Sequence, residues 1–461
     1  MAIIASLLAR IKSDPMQVLG GAEKVNEHFR RRGHVWRERL LDPATTLSLF
    51  VHQILAGNAA ITHVRHLARR DFAPSSYCEA RKRLPTEALA KLVEDVSSDC
   101  IGSIRSCMND GGDAAGSFFG RRVHQADATT ATTPDLPPLQ DRWPQPSVQK
   151  PGCGFPMVKL LGLLDLATGM ILQLTMTCLG CHEMSQLTGP HGRLAPGDVL
   201  LADRGFCSFS HLFLLGKMSV DAVFPVHQRQ LVDFTPHRPS RTKKGKNKGD
   251  RYEGGVPSSR FVRKLGHEDQ LVEWVKPTSK PVWMSQAQFD ELPRTLLVRE
   301  IGYRVTERGR RTRRVIIATT LLSAIRYPKD EIAKLYGLRW RIETSFRHLK
   351  QTMKMDQLKC QTPDGVAKEL MVYVLVYNLV RSAMTLAAMR QNVSAWRISF
   401  VDALRWLCTG DHEWMPDLIV NPSRTDRWCP RVKKRRMKEY DLMMQPRSMY
   451  KQPSADEEVN T

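Results

Sequence analysis

The chain has 461 residues, with 69 Lys or Arg against 47 Asp or Glu, a formal charge of +22 and a pI near 9.8. That length exceeds one compact core of typical size, so two or three domains, or one domain with a large insertion, are expected, and the basic excess favours a polyanionic partner such as nucleic acid. Ten scattered cysteines exclude a dense disulfide framework, and the longest apolar run, Met371 to Val380, is about half of what spans a bilayer and reads as a buried helix.

The N-terminal apolar stretch is interrupted by charges and lacks a cleavage-site pattern, which argues against secretion and for a soluble cytoplasmic protein, with no membrane partner. Residues 1–115 read as helical, with amphipathic stretches at 46–67 and 86–96. Between them Pro74 and Ser75 start a further helix that ends in Arg81, Lys82 and Arg83. Helices that end in basic residues suit DNA binding; the same features describe a solvated helical cap.

The Gly- and Ala-rich stretch 108–117 marks a boundary. After it, residues 116–228 read as β-rich. A strand through 121–134 carries Asp127, 155–177 forms a hairpin turning between Asp165 and Gly169, and GDVLLADRGF places Asp203 near the end of a short apolar strand. A helix at 210–219 and a strand at 221–228 follow. Cys178 and Cys181 form one C-x-x-C beside His182, but no second ligand pair follows at zinc-finger spacing, so they read as strand-end cysteines. Residues 229–324 read as a β-rich insertion, opened by a Lys- and Gly-rich loop at 241–251 and containing Trp274 and Trp283. Residues 325–410 return to helix, with Pro328 near a helix start. Residues 411–461 form a tail carrying the basic run 431–438, either a DNA contact or solvated.

Within the returning helix, LYGLRWRIETSFRHLK concentrates aromatics and cations around one glutamate. At 100° per residue, Tyr336, Arg339, Glu343 and Lys350 share an arc of roughly 60°, beside an apolar stripe of Leu335, Leu338, Ile342, Phe346, Leu349 and Met353. Arg341 and His348 point elsewhere. A plain ion-pair ladder from Arg339 through Glu343 to Lys350 would share that spacing, but it accounts neither for Tyr336 nor for the two strand aspartates. Asp127 lies in an apolar and Thr-rich strand where a charge is costly unless paired or bound to a metal. Asp165 and Asp198 stand beside turn glycines and read as turn residues. Three carboxylates from separate elements suit two hard divalent cations.

These features resemble the bacterial insertion-sequence transposases of the DDE class with the Y-R-E-K signature. Tyr336, Arg339, Glu343 and Lys350 match the signature spacing, LLADRGF resembles the second-aspartate motif, and VHQADATT the first, with Ala128 where relatives often carry glycine. The resemblance spans residues 45–385. It implies an α/β fold, an RNase H-like core interrupted by the β-rich insertion and preceded by an all-helical N-terminal DNA-binding domain. It further implies that Asp127, Asp203 and Glu343 are catalytic and hold two Mg²⁺, with Mn²⁺ able to substitute. Tyr336, Arg339 and Lys350 would grip the DNA end, helped by Arg81, Lys82 and Arg83. The implied partners are double-stranded DNA, as transposon ends and target, and a second copy of the chain in a homodimer. An RNase H-like nuclease without strand transfer, or a catalytically silent DNA-binding regulator, are the rival readings.

Overall fold

The computed structural model describes residues 15–67, 71–109, 117–181, 184–185, 189–228, 230–240, 257–305, 313–408 and 443–450. The loop at 241–251, the basic run at 431–438, His182 and most of the 108–117 boundary lie outside them. Five helices open the chain: α1 (Gly21–Arg31), α2 (Pro43–Leu55), α3 (Ile61–Leu67), α4 (Pro74–Arg83) and α5 (Thr86–Asn109). The start of α2 follows from its sequence. The Asp42 carboxylate accepts from the Thr45 amide at 2.7 Å and Pro43 fills the first turn, where no backbone donor is needed.

A mixed sheet follows. Its strands are β1 (Arg121–Thr132), β2 (Met157–Asp165), β3 (Ile171–Cys178), β4 (Val199–Ala202) and β5 (Asp221–Pro225), then β6 (Arg260–Gly266), β7 (Asp269–Val275), β8 (Thr295–Val305) and β9 (Arg313–Thr319). The spatial order is β3-β2-β1-β4-β5-β9-β8-β7-β6, and a two-residue strand, Ser117–Phe118, pairs with β1. β2 pairs antiparallel with both β1 and β3, whereas β4 and β5 run parallel to β1. β9 pairs antiparallel with β5, so the strands expected as an insertion continue the central sheet from that edge.

The β2–β3 turn forms as the sequence predicts. Asp165 accepts from the Thr168 amide and hydroxyl at 2.9 and 2.7 Å and pairs with Arg105. Gly169 has φ 71°, and a Cβ there would run into the Arg381 guanidinium at 2.4 Å, so both backbone and space demand glycine. Cys178 and Cys181, expected as separate strand-end thiols, are joined as a disulfide at the end of β3.

The sheet is covered on both faces. On one, α6 (Phe209–Lys217) packs Leu212 and Leu215 against Ala126, Leu200 and Ala202. On the other, α7 (Lys329–Gly337) brings Ile332, Leu335 and Tyr336 to Val123 and Leu201. The 28-residue α9 (Pro363–Arg390), capped by Thr362, carries the apolar run 371–380 and is buried along most of its length, although it is apolar enough to cross a bilayer. It shares one core with Leu47, Phe50 and Leu89 of the N-terminal helices, which therefore lean on this C-terminal helix for part of their burial. α10 (Phe400–Cys408) closes that core with Phe400 and Trp406.

Candidate active site

Sheet register places the first two carboxylates. Ala126 pairs with Ala202 across the parallel β1–β4 ladder, so Asp127 on β1 and Asp203 just past the end of β4, each one residue further on, stand at the same level. β1 continues past Asp127, while β4 ends before Asp203, which opens the turn Arg204–Phe206. Gly162 lies opposite Asp127 on β2, and a Cβ there would meet the Phe346 ring at 3.0 Å. That absent side chain lets the helix carrying Glu343 approach the sheet.

The segment expected as one regular helix is three pieces. α7 ends at Gly337; the Leu338 and Arg339 amides then bond three residues back, to Leu335 and Tyr336, both at 3.0 Å. α8 (Trp340–Arg347) follows and passes into a π-helical turn, His348–Thr352, where the Met353 amide reaches the His348 carbonyl at 2.9 Å. A tightened turn advances the phase of the side chains and a π turn retards it, so a constant 100° wheel does not hold from Tyr336 to Lys350. The apolar stripe survives, with Leu335, Ile342, Phe346, Leu349 and Met353 buried and Leu338 half-buried. Tyr336 sits deeper than the rim position expected, at 7% exposure.

Arg339 links two of the three acids. Its guanidinium donates to Glu343 Oε1 at 2.5 Å and to Asp127 Oδ2 at 3.4 Å. Burial pushes Asp127 up to about 6, and repulsion from Asp203 and Glu343 adds to this, against the opposing pull of the Ala128 amide and Arg339. Burial also works against the charge of Arg339, but Tyr336, Glu343 and Asp127 hold its pKa above the usual value. Three carboxylates therefore lie close enough to interact around one guanidinium, with Asp127 the one most affected by burial. Among the described residues no three acid, His or Cys side chains already close on one point as a metal cage; Arg339 is hydrogen-bonded to two of the three carboxylates. Lys350 is half-buried in the π turn and does not extend the ion pair, so of the rival ion-pair ladder only the Arg339–Glu343 rung forms.

The other predicted positions divide. Lys82 and Arg83 are exposed, with Lys82 paired to Glu79 at 2.6 Å. Arg81 corrects the expectation of a DNA contact: it is buried, lies 3.8 Å over the Phe50 ring, and donates to Gln53 at 3.3 Å and to the Cys360 sulfur at 2.9 Å. Its charge is spent inside the protein. Arg83 instead joins Trp36, Arg37, Arg39, Ser75 and Ser76 around a cleft of about 760 Å³ on the N-terminal helices. Arg341 and His348 do turn away from the carboxylates. Arg341 faces Trp396 at 4.9 Å and His348 stacks on Phe400 at 4.3 Å. Trp274 is a core residue, donating to Glu300 at 3.0 Å.

Two residues escaped the sequence reading. Trp340, beside Arg339, leaves 49% of its surface exposed at the edge of the site; it was visible as the aromatic on the solvent side of the motif. Gln125 is 2% exposed and donates to the Leu338 carbonyl at 2.8 Å. Only its place two residues before Asp127, on the same strand face, could have signalled it.

Residues 119–379, more than half the chain and inclusive of all three carboxylates, match the family model of the transposase DDE domain. The chain is 24% identical over 391 residues to the transposase InsG of insertion sequence element IS4 from Escherichia coli strain K12, covering 80% of this chain and 78% of that protein. A more distant likeness, at 10% identity and a TM-score of 0.40, extends over 87% of this chain and 80% of a chain in the piggyBac transposase synaptic complex with hairpin DNA. The chain belongs to the DDE transposase family, among the insertion-sequence transposases related to that of IS4.

Proposed function

We propose that this transposase binds the terminal inverted repeats of its insertion sequence, cleaves the DNA ends and joins them to target DNA, working as a homodimer that pairs two ends. Asp127, Asp203 and Glu343 are the catalytic carboxylates in this reading. The observation that carries it is the convergence of Asp127 on β1 with Asp203 at the end of the adjacent parallel β4, and of Glu343, which shares Arg339 with Asp127. The order of β3-β2-β1-β4-β5, with three antiparallel strands followed by two parallel ones, supports an RNase H-like core.

The donor set fits Mg²⁺ or Mn²⁺. It is all oxygen, it comes from three separate elements, and its burial leaves Asp127 short of compensating positive charge. The chemistry divalent cations supply when bound is charge neutralisation at the attacking and leaving oxygens of a phosphodiester. The chain's own residues prepare for this. Arg339 shares its single positive charge between Asp127 and Glu343 in the absence of DNA, and a DNA phosphate offers its guanidinium a bidentate alternative. Transfer of Arg339 from carboxylate to phosphate frees the acids when an end docks. Tyr336 backs Arg339 from the buried side, Lys350 adds a cation along the same rod, and Trp340 offers a stacking surface at the rim. Lys82, Arg83 and the cleft beside them add salt-dependent phosphate contacts.

Joining assays with pre-cut transposon ends test this reading. Wild type is expected to yield joined product in Mg²⁺, whereas a nuclease without strand transfer yields none. Arg339→Ala and Lys350→Ala should each weaken end binding and lower its salt slope by about one. Wild-type binding and joining by both variants would remove them from the DNA contact.

A further inference from the structure

Gln125 lies at the centre of β1, paired on one side with Leu164 and on the other with Leu201, and its side chain leaves the strand on the face that also presents Asp127. Its Nε2 donates 2.8 Å to the carbonyl of Leu338. That carbonyl belongs to the tightened join between α7 and α8 and also accepts the Arg341 amide at 2.9 Å. The next residue is Arg339, whose guanidinium spans Asp127 and Glu343. One buried amide thus fixes the backbone from which the glutamate helix departs to the strand that carries the first aspartate.

We propose that Gln125 is a positioning residue that sets the separation of Asp127 from Glu343 and thereby the affinity of the site for divalent cations, a role that rests on the carboxylate reading above. The tie is short and direct. Gln125 and Asp127 are two residues apart on a strand held by ladders on both sides, so β1 is the fixed reference. The join is the adjustable part: its i to i−3 bonds give poorer geometry than a regular α-turn, and a second donor on the Leu338 carbonyl holds that turn in place. Without that donor the join can relax toward a regular turn, which rotates Arg339 and Glu343 away from Asp127.

Gln125→Met keeps the side-chain volume and removes the donor, whereas Gln125→His keeps an N–H of similar reach. The test is direct Mn²⁺ titration of the full chain by electron paramagnetic resonance, alongside DNA-end binding and thermal unfolding. For Q125M the half-saturating Mn²⁺ should rise roughly tenfold, the range expected when a support behind a metal ligand is lost, with end binding lowered no further than Arg339→Ala lowers it; Q125H should restore the wild-type curve. A wild-type Mn²⁺ curve for Q125M, or a histidine variant as weak as the methionine one, overturns the proposal. If Q125M does not fold, Gln125→Leu repeats the test, and failure of both to fold makes Gln125 a stability element and also overturns it. Asp127→Asn separates the two levels. If it binds Mn²⁺ like wild type, the carboxylate reading itself fails; if it loses Mn²⁺ while Q125M keeps it, only the role of Gln125 fails.

Discussion

Asp127→Asn is expected to abolish end cleavage, by at least roughly a thousandfold, and in the same protein to stabilise the cation-free fold. The two effects have one cause. The folded state raises Asp127 from 3.8 to about 6, chiefly by burial and then by the neighbouring carboxylates. Between those values the native state holds more protons than the unfolded one. The stability from Asp127 is therefore fully present below about pH 4 and is lost as pH rises through about 6. At pH 7.5 the deficit is on the order of 1–3 kcal/mol, and a neutral amide removes it. Unfolding in chelator at about pH 4 and pH 7.5 checks this: the variant should gain over wild type at the higher pH and little at the lower. An equal loss at both would mean that the Asp127 carboxylate is held by its partners and that the site carries no unbalanced charge.

Arg299→Ala is expected to cost about 3–5 kcal/mol, the range for removing one partner of a buried ion pair. Arg299 is completely buried on β8 and forks onto Asp269 of β7 at 2.8 and 2.6 Å. Its remaining N–H groups close the turn that launches α7, reaching the Tyr327 carbonyl at 2.7 Å and that of Leu321 at 3.3 Å. Truncation strands the Asp269 charge at 4% exposure and leaves those carbonyls short of a donor. Lysine cannot reproduce the planar fork, so Arg299→Lys should recover only part of the loss. Urea unfolding gives the measurement, with Lys217→Ala as a control; Lys217 pairs with Glu291 at 2.6 Å, but both are half exposed and the pair should contribute little. A loss for Arg299→Ala no larger than for Lys217→Ala would show that this turn does not depend on the pair. Because the turn leads into α7 and then α8, the strands between β5 and the glutamate helix do more than fill space. They brace the start of the rod on which Arg339 and Glu343 are mounted.

The sequence made the acids visible because a charge in an apolar strand or beside an apolar stripe needs a reason, and Asp127, Asp203 and Glu343 each stand in such a place. The hairpin turning at Asp165 to Gly169 was legible because its turn chemistry is local. What the chain could not disclose depended on distance or on departures from regular geometry. A wheel with a fixed step contains no information about the tightened turn at Leu338 or the π turn at His348. It therefore set Tyr336 on the rim and Lys350 in line with Glu343. A run of basic residues records charge without direction, and Arg81 spends its charge on Phe50, Gln53 and Cys360, two of which lie far from it in sequence and one beyond residue 350. The strands after residue 257 were readable one by one, but only the β9–β5 ladder assigns them to the central sheet. Gln125 was silent for the same reason: its partner is a backbone carbonyl 213 residues away.

The central claim is that Asp127, Asp203 and Glu343 act together on DNA, and Asp203 tests it most directly because it lies outside the Arg339 ion pair in the DNA-free structure. The measurement is single-turnover cleavage, in Mg²⁺, of a labelled duplex carrying the terminal inverted repeat, with binding of the same duplex measured in parallel. Asp203→Ala is predicted to bind that end as wild type does and to leave it uncut. Cleavage by Asp203→Ala at the wild-type rate would contradict the assignment of the catalytic centre.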